Sequence, residues 1–176
     1  GVLRREAAAV GAAMAASDRR LFFLGTLAAG TALFLGASLQ QAGLVYTTAG
    51  KAGFITGLYV VLVPVFGLFL GHRTGLPTWV GAVLAAAGLY LLSAAGSLGA
   101  VNPGDALVAL SAVFWTVHVL LIDRLAKRID PVKLASGQFA WCSLFSLAVA
   151  AAVEPVALSS IRAAALPILY GGLGSV

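Results

Sequence analysis

Between Lys51 and Arg73 the chain carries no Asp, Glu, Lys or Arg, and the uninterrupted run from Ala52 to His72 is 21 residues long. A helix that crosses a hydrocarbon core of about 30 Å needs roughly 20 such residues. Residues 21–50 form a second charge-free run, 30 residues long. A soluble fold needs a charged outer surface. Here 10% of the 176 residues are charged and 61% are apolar, against about 25% and 45–50% in soluble domains. The mean hydropathy of +1.02 agrees. In lipid each backbone N–H and C=O must find its partner within the protein, which a helix provides. The sequence therefore predicts an all-α integral membrane protein, a polytopic helical bundle.

Residues 1–20 are Ala-rich and carry Arg4, Arg5, Glu6, Asp18, Arg19 and Arg20, and they read as a polar connection. Spans are expected over about 21–43, 52–71, 76–95, 106–122 and 134–153, and a sixth begins near Ala163. Residues 96–105, Gly-Ser-Leu-Gly-Ala-Val-Asn-Pro-Gly-Asp, read as the clearest linker. The chain starts without Met and ends at Val176 inside an apolar run, so it reads as a fragment with five full spans and one partial span.

Alternate connections must share a side of the membrane. Residues 1–20, Arg73 and residues 123–133 hold nine of the Lys and Arg residues, whereas Lys51 and Arg162 are the two on the other side. That asymmetry places 1–20, 72–75 and 123–133 in the cytoplasm, and the chain is expected in the cell (inner) membrane. The net charge of +5 could suggest a nucleic-acid partner. The charges sit at the ends of apolar runs and form no basic face, which argues against one. Cys142 is the only cysteine, so no disulfide forms within the chain, and its apolar surroundings fit a small buried hydrophobe. The pairs Gly25/Ala29, Ala32/Gly36, Gly53/Gly57, Gly67/Gly71 and Gly81/Ala85 have the spacing that lets helix backbones approach. A homodimer is compatible with such faces.

Several polar or special residues fall inside the spans. Pro64 leaves the Val60 carbonyl without its helical donor, so it acts as a kink or as opened backbone beside a solute path. Thr56 and Tyr59 could present hydroxyls to a substrate, although Thr56 could equally bond its own helix. Gln40 and Gln41 lie near the outer end of their span, marking either the interface or a cavity. Trp115 and His118 are three apart on one helical face, with Trp115 roughly 10 Å from the cytoplasmic end. An ionisable group such as His118 inside a span points to function, against the alternative of a neutral imidazole bonded to a neighbouring helix. Asp105, Asp123 and Glu154 stand at span ends and are expected to be solvated.

The stretch from Tyr46 to Ile55, followed by Val63-Pro64 and by Gly81 through Gly88, resembles the drug/metabolite transporter superfamily, in particular its EamA-type domain. Ala112-Val113-Phe114-Trp115-Thr116-Val117-His118 resembles the opening helix of that domain's second copy. The resemblance implies ten helices in two five-helix inverted repeats. On it, 21–95 are the last three helices of the first repeat, 96–105 joins the repeats, and 106–176 holds two helices and the start of a third. Ile168-Leu169-Tyr170-Gly171-Gly172-Leu173 would parallel Leu21-Phe22-Phe23-Leu24-Gly25-Thr26. His72-Arg73 stands where many members of the family carry a Glu.

Three functions compete. A secondary transporter would export small organic metabolites, such as amino acids or related compounds, through a midplane site by alternating access. Gln40, Thr56, Tyr59, Pro64, Trp115 and His118 would line that site, with no cofactor or metal. A non-transporting membrane subunit would use the small-residue faces alone. An intramembrane enzyme would need a converging nucleophile, base or metal set, and the spans offer one His, one Cys and no buried acid.

Overall fold

The computed structural model describes residues 2–94, 102–153, 162 and 164–170. Helices run over α1 (Val2–Leu44), α2 (Ala49–Gly57), α3 (Tyr59–Phe69), α4 (Leu76–Ala94), α5 (Pro103–Leu125), α6 (Pro131–Val153) and α7 (Ala165–Leu169). The segments Ser17–Leu44, Ala49–Phe69, Pro103–Leu125 and Pro131–Val153 are long and apolar enough to cross a membrane, and Leu76–Leu91 is a shorter apolar stretch. The chain is a multi-pass, all-α membrane protein. Glu154, residues 96–101 of the expected linker, residue 95 at the end of the expected third span and most of the expected sixth span lie outside the described residues, as does Gly171-Gly172-Leu173 of the internal match.

The expected polar connection over 1–20 is helical from Val2 onward and continuous with the first span. Its Ala-rich composition is the best available for helix propensity, and Ser17–Arg20 are exposed, so the charged side chains need no break in the backbone to reach water. The expected 52–71 span is two helices with an interruption at Leu58. At the break the bonding tightens to i→i−3: Leu58 N–H donates to Ile55 O at 3.2 Å and Val61 N–H to Leu58 O at 2.9 Å. Gly57, a poor helix former, precedes the break, and the Pro64 ring disturbs the turn that follows it. Such a local 3₁₀ turn bends a helix.

The end of α3 is closed by Gly71, whose φ of +79° suits a residue without Cβ. His72 N–H then donates to Gly67 O at 2.9 Å and Gly71 N–H to Leu68 O at 3.0 Å, which is the Schellman termination. Helix α5 starts at Pro103, three residues before the expected 106, because Asn102-Pro103-Gly104-Asp105 is a capping box. Asn102 Oδ1 accepts from Asp105 N–H at 3.1 Å, and Asp105 Oδ2 accepts from Asn102 N–H at 2.9 Å. Helix α6 starts at Pro131 in the same way, with Asp130 Oδ1 accepting from Val132 and Lys133 N–H, both at 3.1 Å.

Helices α1 and α5 are the central antiparallel pair. A methyl group on Gly43 would lie 2.6 Å from Val108 Cγ2, and one on Gly25 would lie 2.8 Å from Leu125 Cδ2, so the register runs in opposite directions. Gly25, Ala29, Ala32 and Gly36 are all buried, as their spacing predicts. Gly53 and Gly81 have open space instead, whereas Gly57, paired with Gly53 by spacing, lies close to Leu89 on α4, whose Cδ1 would be 2.5 Å from a Cβ there. Leu21 and Phe22 pack with Leu125, Ile129 and Leu134 at one end of the bundle. Thr47 and Lys51 meet Asp105 at the other.

Two compact units divide the chain within α6, Gly1–Cys142 and Ser143–Val176. The second contributes the end of α6 and the five-residue α7.

Candidate functional site

Five hydroxyls in these helices are satisfied locally. Thr26, Thr31, Ser111, Thr116 and Ser136 each donate to a carbonyl three or four residues earlier, a bond that uses the hydroxyl's one proton and leaves only acceptor lone pairs for a ligand. The larger polar side chains cannot do this and must reach another helix.

Trp115 Nε1–H on α5 donates to Gln40 Oε1 on α1 at 3.0 Å. The indole lies against Gly36, where a Cβ would sit 3.4 Å from the ring, so α1 presents a flat surface for it. One turn on, the His118 ring meets Trp115 edge to face, with centroids 6.0 Å apart and planes at 87°. His118 Nε2 and Gln138 Oε1 on α6 are 2.8 Å apart, and the bond forms when Nε2 carries the proton. Gln138 is 8% exposed. The result is a polar chain, Gln40–Trp115–His118–Gln138, crossing from α1 through α5 to α6. Because α5 runs from Pro103 to Leu125, Trp115 lies about 15 Å from its C-terminal end and about 18 Å from its N-terminal end by helix rise, closer to the middle of the span than expected.

The sequence places Gln40, Trp115 and His118 as candidates, and the fold brings these three together. Thr56, Tyr59 and Pro64 sit on α2 and α3, with no hydrogen bond to the chain among the described residues. Pro64 is buried inside α3. Thr56 Oγ1 is buried with no partner among the described residues, as is Thr74 Oγ1 in the turn between α3 and α4. Sequence reasoning missed Gln138. Its signal was present, since a carboxamide within an apolar run needs a partner in lipid.

The expectation of a solvated Asp105 is corrected. It is 5% exposed and receives Thr47 Oγ1–H at 2.7 Å and Lys51 Nζ at 2.6 Å, besides capping α5. A charge can be buried when a partner and hydrogen bonds replace its water. Residues far apart in sequence supply them, so no local pattern shows it. Asp123 behaves as expected, paired with Lys127 at 2.9 Å in solvent.

Breaking one member of the Lys51–Asp105 pair leaves a buried charge uncompensated, whereas removing both does not. Asp105→Leu is therefore expected to lower the thermal midpoint by more than the Lys51→Met/Asp105→Leu double substitution does. Equal losses in calorimetry would contradict the pairing.

Comparison with known proteins bears on the function. Residues 8–94 match the EamA-like transporter family. The chain carries an EamA-like domain. That domain spans α1 from residue 8 through the end of α4, and so includes Gln40, Thr56, Tyr59 and Pro64. Over 110 residues the chain is 37% identical to an uncharacterized transporter of Archaeoglobus fulgidus, covering 62% of this chain and 35% of the relative. Over 117 residues it is 34% identical to the uncharacterized transporter YvbV of Bacillus subtilis, covering 65% and 38%. The matched stretch thus spans little more than a third of either relative. No solved structure matches the EamA-like chain.

Proposed function

We propose that the EamA-like chain forms part of a secondary transporter of small organic metabolites, working as an exporter by alternating access in the cell's inner membrane. The observation that carries this reading is the interhelical polar chain Gln40–Trp115–His118–Gln138 near mid-span. Polar groups in lipid are retained where they hold helices together or meet a solute. Two further features support the solute. Thr56 Oγ1 is buried without a partner, and the α2–α3 backbone is interrupted at Leu58, as in the discontinuous helices of secondary transporters. Under this reading residues 21–95 close a first repeat, residues 106–176 open a second, and the ends carrying 1–20, 72–75 and 123–133 face the cytoplasm. Amino acids and related compounds, with polar groups that pair with carboxamide, indole and hydroxyl, are the favoured substrate class.

The test is flux of a labelled metabolite panel in vesicles containing the full-length protein. Saturable flux of one class, reduced at least tenfold by Tyr59→Ala with the protein still folded, is the expected result. Absence of flux for every solute would favour a non-transporting membrane subunit.

A further inference from the structure

Two grooves open beside the last turns of α5, and they share Arg124. The first, about 300 Å³, is lined by Phe66, Phe69 and Leu70 on the α3 side and by Val117, Leu120 and Leu121 of α5. The second, about 500 Å³, is lined by Leu21 and Leu125 together with Arg124, Lys127 and Arg128. Along α5 the order is therefore apolar, apolar, cationic. Val117 lies about 10 Å deeper than Arg124 by helix rise.

We propose that this pair of grooves binds one anionic phospholipid, with an acyl chain between α3 and α5 and its phosphate against Arg124, Lys127 and Arg128. Charge complementarity carries the assignment. Asp123 pairs with Lys127, and Asp130 caps α6. Arg124 and Arg128 have no carboxylate partner among the described residues, and both are exposed. A soluble anion would make no use of the adjoining apolar groove, where Phe69 stands 86% exposed. A zwitterionic lipid would fill that groove but place no net charge on the arginines. The tail-to-head order along α5 matches a lipid that enters from the leaflet at this end of the bundle. Basic pockets between spans are a known setting for anionic headgroups. The inference rests on membrane insertion alone, so the transport reading can fail while this one stands.

The experiment uses full-length protein in a nonionic detergent, with native mass spectrometry and thermal unfolding as readouts. The probes are phosphatidylglycerol, phosphatidylcholine of the same chain length, and inorganic phosphate. Phosphatidylglycerol is expected to bind at least tenfold more tightly than phosphatidylcholine and to raise the midpoint, while inorganic phosphate leaves it unmoved. Arg124→Gln/Arg128→Gln is expected to weaken phosphatidylglycerol roughly 10- to 30-fold and abolish the preference, whereas Arg124→Lys/Arg128→Lys keeps it. Val117→Trp, which fills the apolar groove without touching a charge, is expected to weaken both lipids. Equal affinity for the two lipids overturns the proposal. So does a preference that survives the double Gln substitution, or a midpoint shift with inorganic phosphate alone.

Discussion

A Gly30→Leu variant is expected to lose about 1–3 kcal/mol of stability and to separate His118 from Gln138. A Cβ at Gly30 would lie 2.6 Å from Trp141 Cβ and 2.8 Å from the Gln138 carbonyl oxygen. Neither is the free end of a flexible side chain, so the only relief is to move α6 away from α1. Gln138 is the residue whose backbone would be pushed, and its side chain ends the polar chain at His118. The cost of packing is thus tied to the geometry of the candidate site. Gly137 adds a second close approach in the same interface, since its Cβ would meet Thr26 Cγ2 at 2.5 Å. Gly53→Ala is the control. It also stands at small-residue spacing, but in open space, and it should gain about 0.5–1 kcal/mol of helix stability. Thermal unfolding of the full-length protein in detergent separates the two. A Gly30→Leu midpoint equal to that of Gly53→Ala would show that α1 and α6 do not meet as described.

The contrast between Gly30 and Gly53 also shows how far the sequence could be read. Charge-free runs located the apolar spans because the requirement for them is local and chemical: about 20 residues without an ion. Helix starts were legible too. Asn102-Pro103-Gly104-Asp105 is a capping box with Pro at the first turn, yet a Gly- and Pro-bearing string reads as a linker unless the three-residue spacing of Asn and Asp is tested. Charges near the end of a span were over-read as breaks. Asp18, Arg19 and Arg20 sit within α1 because long or end-placed polar side chains reach water without ending the helix. Pairings across the fold were out of reach. Lys51 and Asp105 are separated by two whole helices, α3 and α4, and Gln138 finds His118 only once α5 and α6 are packed. Of the candidate site, Gln40, Trp115 and His118 were visible as polar residues in apolar runs. The Trp115–His118 contact follows from their spacing on one helical face, but the Gln40–Trp115 bond was not visible, because the packing of α1 on α5 decides it.

His118→Leu is expected to reduce substrate flux at least tenfold while costing little stability, and magnitude decides what such a result means. Hydrogen bonds between membrane helices are worth about 0.6 kcal/mol on average and about 1.7 at most. If the His118–Gln138 bond only joins α5 to α6, losing it removes no more than that, and flux falls only with the amount of folded protein. If His118 also meets the solute, flux per folded molecule collapses although the fold survives. Trp115→Phe probes the next link, since it keeps an aromatic ring against Gly36 but deletes the donor to Gln40. Gln138→Leu removes the other partner of the imidazole, and a purely structural bond predicts the same small stability loss for it as for His118→Leu. Flux normalised to folded protein, read beside the thermal midpoint, gives both numbers from one preparation. Equal, modest losses for His118→Leu and Gln138→Leu would assign the polar chain to helix packing. A tenfold loss at His118 with a midpoint within a few degrees of the parent assigns it to the solute path.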